Sequence, residues 1–113
     1  MNRLIQMKAG EAFKRGDVGY YHTETGGVVK FVENDVSRVD IAIATKKCST
    51  NEIIPWSRTG GLTKIGMPST GNAGSPLYLD VQKSVLAAIE PAEAARVGII
   101  VRRGVGLIDI VDD

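Results

Sequence analysis

Short runs of β-branched and aromatic residues, each followed by a turn rich in glycine or polar residues, recur along this chain. Val18–Thr23 is one such run and Val28–Val32 is the next, and Thr25-Gly26-Gly27 lies between them. Residues of these types favour β-strands, and a glycine-rich turn between two such runs indicates a hairpin. Because further short runs follow at close spacing, the sequence predicts a mainly β domain, built as a small barrel or a sandwich.

The segment Val39–Thr45 alternates bulky and small side chains with a period of two, which predicts a strand. The small side chains on one face indicate that this face is crowded by its neighbours. The bulky face carries Val39, Ile41 and Ile43, and the small face carries Asp40, Ala42 and Ala44.

The stretch from Gly60 to Pro76 is rich in glycine and predicts a long loop, with one brief strand at Leu62–Ile65. Pro76–Asp80 has the composition of a strand. The residues after it fit either a returning strand at Ser84–Ile89 or a helix over 81–90. The hairpin is favoured because the flanks lack helix caps. Two more strands, over 97–102 and 106–111, are expected at the C-terminal end of the chain.

Residues 1–15 differ from the rest in carrying four basic residues and one acidic residue, and Leu4, Ile5 and Met7 supply too little apolar character to predict a helix. Glycines at positions 10 and 16 bracket the only stretch that fits a helical turn. We therefore predict an extended N-terminal arm over residues 1–15, followed by a β domain over 16–113. The alternatives are an arm that becomes ordered on a partner and a frayed terminus.

Composition and charge argue against several classes of function. The formal net charge of +1 gives no global basic field of the kind that nucleic-acid binders carry. The single cysteine, Cys48, cannot form an internal disulfide or a multi-cysteine zinc site. No apolar run approaches the roughly 20 residues that span a bilayer. We expect neither nucleic acid nor membrane as a direct partner, and synthesis in the cytoplasm.

The sequence offers few candidates for a catalytic or metal-binding residue. The single histidine, His22, lies in a predicted strand, and no nucleophile-elbow pattern accompanies it. A half-exposed strand histidine is therefore preferred to a catalytic base. No second His or Cys stands at metal-ligand spacing, and the glycine-rich segments do not match a phosphate-binding loop or a dinucleotide fingerprint. The sequence predicts no catalytic residue, cofactor or metal, and a protein that is not an enzyme.

Trp56 is the only tryptophan and lies in a short predicted strand beside Pro55 and Arg58. Proline removes one ladder donor, so Pro55 predicts an edge strand or a strand end. Trp and Arg are enriched as interface anchors, but a small core also needs its aromatic residues, and the core alternative is slightly favoured for Trp56. The candidate partner-binding residues are Arg3, Leu4, Ile5, Lys8, Trp56 and Arg58.

Several segments together resemble small structural proteins of tailed bacteriophages. Gly74–Asp80 reads Gly-Ser-Pro-Leu-Tyr-Leu-Asp, and Arg96–Val101 reads Arg-Val-Gly-Ile-Ile-Val, with a final strand at Ile108–Ile110. Asp40–Thr45 and Ile53–Pro55 resemble the first half of the same pattern. Over residues 16–111 the chain is similar to capsid cement (head decoration) proteins.

This resemblance implies a β-tulip, barrel-like or jelly-roll domain that binds the outside of an assembled phage head. The implied partner is the major capsid protein, and the implied location is the capsid surface of the virion. The resemblance also implies a homo-oligomer, with a trimer preferred and a dimer possible, which suits a domain of 113 residues with a modest core. The alternative is a tail fibre, spike or other tail-associated binding module. A small enzyme with His22 as base is the third hypothesis.

Overall fold

The computed structural model describes residues 4–31, 41–58, 62–68, 71–91 and 94–108, which form ten β-strands and no helix. The strands make two antiparallel sheets of five strands each, which confirms the predicted mainly β fold. No helix within these ranges is long and apolar enough to cross a membrane. The strands are β1 (Leu4–Lys8), β2 (Val18–His22), β3 (Gly27–Lys30), β4 (Ala42–Ala44), β5 (Ile53–Arg58), β6 (Leu62–Thr63), β7 (Pro76–Asp80), β8 (Val85–Ala87), β9 (Ala94–Arg102) and β10 (Val105–Ile108).

The first sheet has the strand order β1-β5-β4-β2-β3 and curls until its two outer strands meet. Ala9, which follows β1, forms a parallel bridge with Val28 in β3. The backbone N–H of Gly10 donates to the Val28 carbonyl oxygen at 2.7 Å. A Cβ on Gly27 would lie 2.8 Å from the Gly10 nitrogen, so this close approach requires glycine. The sheet is therefore a half-barrel whose outer strands are joined at one end.

The second sheet has the strand order β6-β10-β9-β7-β8. The β7–β8 pair is a hairpin in which Leu79 lies across from Leu86, so the hairpin prediction is confirmed. Its turn places Ser84 at a positive φ of 54°, and the Ser84 N–H donates to the Asp80 carbonyl oxygen at 2.7 Å. The brief strand predicted inside the glycine-rich stretch is β6, which pairs with β10.

Strand β4, which the alternation predicts, lies between two hydrophobic cores. Ile43, together with Ile41 just before the strand, belongs to the core between the two sheets, where Leu77 and Ile100 of the second sheet lie. Ala42 and Ala44 face a second core inside the half-barrel. Val39 and Asp40, which complete the predicted pattern, lie outside the described residues.

The core inside the half-barrel is organised around two large aromatic side chains. The rings of Phe13 and Trp56 meet edge to face, with centroids 4.9 Å apart and planes at 87°. Ala42 and Ala44 of β4 belong to the same core as these two rings. The small side chains on this face of β4 therefore share a core with large aromatic ones.

The described part of the N-terminal segment is extended, and it is built into the first sheet. β1 pairs antiparallel with β5 along its whole length, from Leu4 across from Ser57 to Lys8 across from Ile53. Phe13 is buried in the half-barrel core. The arm-to-domain boundary expected at residue 16 therefore has no counterpart in the packing of residues 4–15.

The position of β5 corrects a second expectation. Pro55 predicts an edge strand or a strand end, but it lies in the middle of β5, and β5 lies between β1 and β4. β5 is therefore not an edge strand, but it pairs with β4 only at Trp56, Ser57 and Arg58, so Pro55 lies beyond the end of that pairing. The Pro55 carbonyl oxygen accepts a hydrogen bond from the Thr45 hydroxyl at 2.6 Å.

Candidate partner-binding surface

The pair formed by β1 and β5 presents an exposed face on the outside of the half-barrel. Along β1 the side chains alternate between exposed and half-buried, starting with exposed Leu4. Leu4 is 53% exposed and Ile53, on β5, is 65% exposed, which are high values for large apolar side chains. We call this surface the outer ribbon face, and its side chains are those of Leu4, Gln6, Lys8, Ile53 and Pro55.

The opposite side of the same two strands holds them rigidly in the core. Met7 packs against the half-barrel core, and Ile54 and Trp56 are fully buried in it. The Trp56 indole Nε1–H donates to the Met7 carbonyl oxygen at 3.0 Å, a hydrogen bond that ties β5 to β1. A buried indole N–H needs such an acceptor, so this contact fixes both the ring and the strand beside it.

The structure places the six candidate residues in different environments. Leu4 and Lys8 are exposed on the outer ribbon face, while Ile5 is half-buried and points the other way. Trp56 is 0% exposed, so it is a core residue and contributes no surface to a partner. Arg3 lies outside the described residues, and Arg58 is half-buried at the end of β5.

Arg58 lines a cleft of about 440 Å³, a size typical of small-molecule sites. The cleft places a guanidinium and two phenol side chains beside an apolar wall. Its described lining residues are Met7, Tyr20, Tyr21, Thr23, Ile41, Ala42 and Arg58. Sequence reasoning missed this cleft, because its walls come from β1, β2, β4 and β5, which are distant along the chain.

His22 stabilises the turn between β2 and β3. The backbone N–H of Thr25 donates to His22 Nδ1 at 3.2 Å, and the Thr25 hydroxyl lies 2.9 Å from the same nitrogen. Because Nδ1 accepts from the backbone, the neutral ring carries its proton on Nε2. The Gly26 N–H donates to the His22 carbonyl oxygen at 2.8 Å, so both the ring and the backbone of this residue hold the turn together.

Cys48 lies in the half-barrel core and is 4% exposed. Burial raises the pKa of the Cys48 thiol, and the negative charge of Glu52 acts in the same direction. The Phe13 backbone and Lys46 act in the opposite direction. The thiol is therefore neutral at physiological pH, when it is a poor nucleophile and a poor metal ligand.

Sequence reasoning found only part of the outer ribbon face. It selected Leu4 and Lys8, but missed Gln6, Ile53 and Pro55. An exposed isoleucine in a short β run resembles a core residue until the register of β1 against β5 is known. The only available signal was the alternation of apolar and polar residues from Ile5 to Lys8, which is typical of a half-buried strand.

Neither a metal-ligand cluster nor a comparison with known proteins assigns a function to this chain. Among the described residues, no group of three or more His, Cys, Asp or Glu side chains is placed to hold a metal ion. No family model matches this chain, and no curated protein matches it.

Proposed function

We propose that this protein is a capsid cement protein, which binds the outer surface of an assembled phage head and holds neighbouring major capsid protein subunits together. Several of the segments that resemble this family lie in strands of the structure. Gly74–Asp80 leads into and forms β7, Arg96–Val101 lies in β9, and Ile53–Pro55 lies in β5. The resemblance thus draws on strands from both sheets, including the strand that carries half of the outer ribbon face.

The observation that carries the proposal is the outer ribbon face itself. Leu4 and Ile53 leave large apolar side chains in water on a regular pair of strands, although Ile54 and Trp56 on the opposite side of β5 are fully buried. Removing apolar surface from water favours association by about 25 cal/mol per Å². A partner that covers this face would therefore gain binding energy without any rearrangement of the core.

The rigidity of the ribbon suits a protein that acts by binding. β1 and β5 are paired along five residues, and the Trp56 indole is hydrogen-bonded to the strand opposite. A preorganised surface loses little conformational entropy on binding, so more of the contact energy appears as affinity. On a shell with many identical sites, moderate affinity per copy is enough to stabilise the assembly.

The test is a pair of matched substitutions on exposed isoleucines. Ile53→Asn changes the outer ribbon face, and Ile89→Asn changes the bend that follows β8, where Ile89 is 79% exposed. Each variant is incubated with expanded heads of the phage that encodes the chain, and bound protein is measured by co-sedimentation. We expect wild type and Ile89→Asn to bind and to raise the disruption temperature of the heads, and Ile53→Asn to bind at least about tenfold more weakly.

Two results would contradict the proposal. Wild-type protein that binds heads no better than an unrelated protein of similar size would exclude the cement function. Labelling of the protein on tails or fibres of intact virions would favour the tail-associated alternative. Equal binding by the Ile53 and Ile89 variants would retain the function but place its contact elsewhere on the molecule.

A further inference from the structure

Four exposed basic residues lie on two neighbouring segments at the end of the β1–β5 ribbon. Lys14 and Arg15 follow Phe13, and Lys46 and Lys47 precede Cys48. Phe13 and Cys48 form an antiparallel bridge, with N–H to carbonyl oxygen distances of 3.1 Å and 3.0 Å. Beyond this bridge Lys14 and Arg15 enter a turn, which the Asp17 N–H closes on the Lys14 carbonyl oxygen at 3.0 Å, and Lys46 lies in a bend next to Lys47.

The two segments are held in place on both sides of the cations. Beyond the basic pairs, the Gly16 N–H donates to the Ala44 carbonyl oxygen at 2.9 Å, and the Ala44 N–H donates to the Asp17 carbonyl oxygen at 2.9 Å. Phe13 and Cys48 anchor the near end, since both are buried in the half-barrel core. The four charges therefore stand on fixed backbone, and only their side chains are free to adjust.

The carboxylates near these four basic residues bind other groups. Asp17 accepts from the Lys14 backbone N–H at 2.9 Å and pairs with Lys30 at 3.7 Å. Glu11 accepts from the Lys30 backbone N–H, and Glu52 accepts from the Ser49 backbone N–H, each at 3.0 Å. Within the described ranges, none of the four exposed cations forms a salt bridge with a carboxylate.

Like charges gathered in one region repel one another and destabilise a folded protein, and the cost falls when an anion binds among them. We propose that Lys14, Arg15, Lys46 and Lys47 form a basic ribbon end that binds an acidic patch on the surface of a protein partner. This inference rests on the proposed function and deepens it, because the basic ribbon end lies at one end of the same ribbon as the outer ribbon face.

A protein partner fits this surface better than a nucleic acid does. Single-stranded nucleic acids are bound through aromatic side chains on which bases stack. The aromatic side chain next to the cations, that of Phe13, is only 2% exposed and is unavailable for stacking. Double-stranded DNA is bound through a broad basic field, whereas this chain has a net charge of only +1.

The experiment measures binding to poly-L-glutamate, a polypeptide probe of acidic surfaces, by fluorescence anisotropy at low and high salt. The test variant is Lys46→Glu with Lys47→Glu. The matched control is Arg102→Glu with Arg103→Glu, which makes the same charge change at another pair of adjacent, exposed basic residues. We expect the control to bind as wild type does, and the test variant to bind about tenfold more weakly and to lose most of the salt dependence.

Equal losses in the two double variants, or no binding by wild type, would overturn the inference, because binding would then depend on net charge or be absent. Tighter binding to single-stranded polyuridylate than to poly-L-glutamate would overturn it in favour of a nucleic-acid site. The same variants are then tested on heads. Wild-type binding with an unaffected Lys46/Lys47 variant would contradict the basic ribbon end alone, whereas absence of wild-type binding would contradict the cement function.

Discussion

At the scale of single residues, Trp56 shows why composition alone does not distinguish a core residue from an interface residue. Both roles suit a lone tryptophan in a short strand. What decides between them is the acceptor for its indole N–H, the Met7 carbonyl oxygen, on a strand 49 residues earlier in the chain. Sequence periodicity describes neighbours along one strand, whereas this contact depends on which strands pair and in what register.

Cys48 leads to a prediction about pH. Burial raises the pKa of its thiol, so the folded protein favours the neutral form. In the unfolded chain the thiol ionises near its ordinary pKa of about 8.5. Its contribution to stability is therefore fully present below that pH and is lost as the pH rises towards the higher pKa of the folded state. We expect the free energy of unfolding of wild type to fall between pH 7.5 and 9.5 by more than that of Cys48→Ala.

Urea unfolding of the two proteins at both pH values measures this difference, and the comparison cancels the titration of other groups. Iodoacetamide supplies an independent readout at pH 8. We expect native Cys48 to react much more slowly than the same thiol in the urea-unfolded chain. Alkylation at equal rates in the native and unfolded protein would show that the thiol is accessible and would contradict its place in the half-barrel core.

At the scale of strands and turns, elements with a clear local pattern are predictable from sequence. The two faces of β4 and the β7–β8 hairpin follow from alternation and turn residues. The pairing of β1 with β5 is not local, because it joins residues 4–8 to residues 53–57. Pro55 predicts an edge because proline lacks a ladder donor, whereas the structure places β5 between β1 and β4.

The pairing of β9 with β10 leads to a prediction for Gly98, which lies across from Ile108. A Cβ at position 98 would lie 2.1 Å from the Leu107 carbonyl oxygen and 3.2 Å from the Ile108 Cα. Because both contacts are with backbone, no side-chain rotation relieves them. We expect Gly98→Ala to lower the free energy of unfolding by about 2–3 kcal/mol.

Chemical denaturation followed by circular dichroism measures this effect. The matched control is Val101→Ala on the same strand, where the side chain is 44% exposed. The control is expected to change stability by less than about 1 kcal/mol. A Gly98→Ala protein as stable as wild type would mean that β9 and β10 are farther apart than the structure places them.

At the scale of the whole molecule, the half-barrel and the second sheet form one domain, whose described residues build two hydrophobic cores. The core between the sheets is assembled from both sheets, including Tyr20 and Leu79. The core inside the half-barrel depends on the N-terminal segment, since Ala9 and Phe13 belong to it. Fold class was predictable because strand-forming runs dominate the chain. The division into arm and domain was not, because it depends on how residues 4–13 pack against distant strands.

This dependence distinguishes two ways of changing the N-terminal segment. Replacing Leu4, Gln6 and Lys8 together by serine alters only exposed side chains of β1 and preserves its pairing with β5. Deleting residues 2–8 removes the strand, the acceptor for the Trp56 indole and the cover over the half-barrel core. We expect the serine variant to keep its stability within about 1 kcal/mol. We expect the deletion to cost about 3 kcal/mol or more, as large core losses do.

Tryptophan fluorescence separates these outcomes, because the only tryptophan is the residue that β1 covers. The emission of the deletion variant is expected to shift to the red as Trp56 becomes hydrated, whereas the serine variant keeps the wild-type spectrum. On phage heads the serine variant tests attachment without loss of fold, which the deletion cannot do. A deletion variant with wild-type stability and an unshifted spectrum would show that residues 2–8 are a dispensable arm after all.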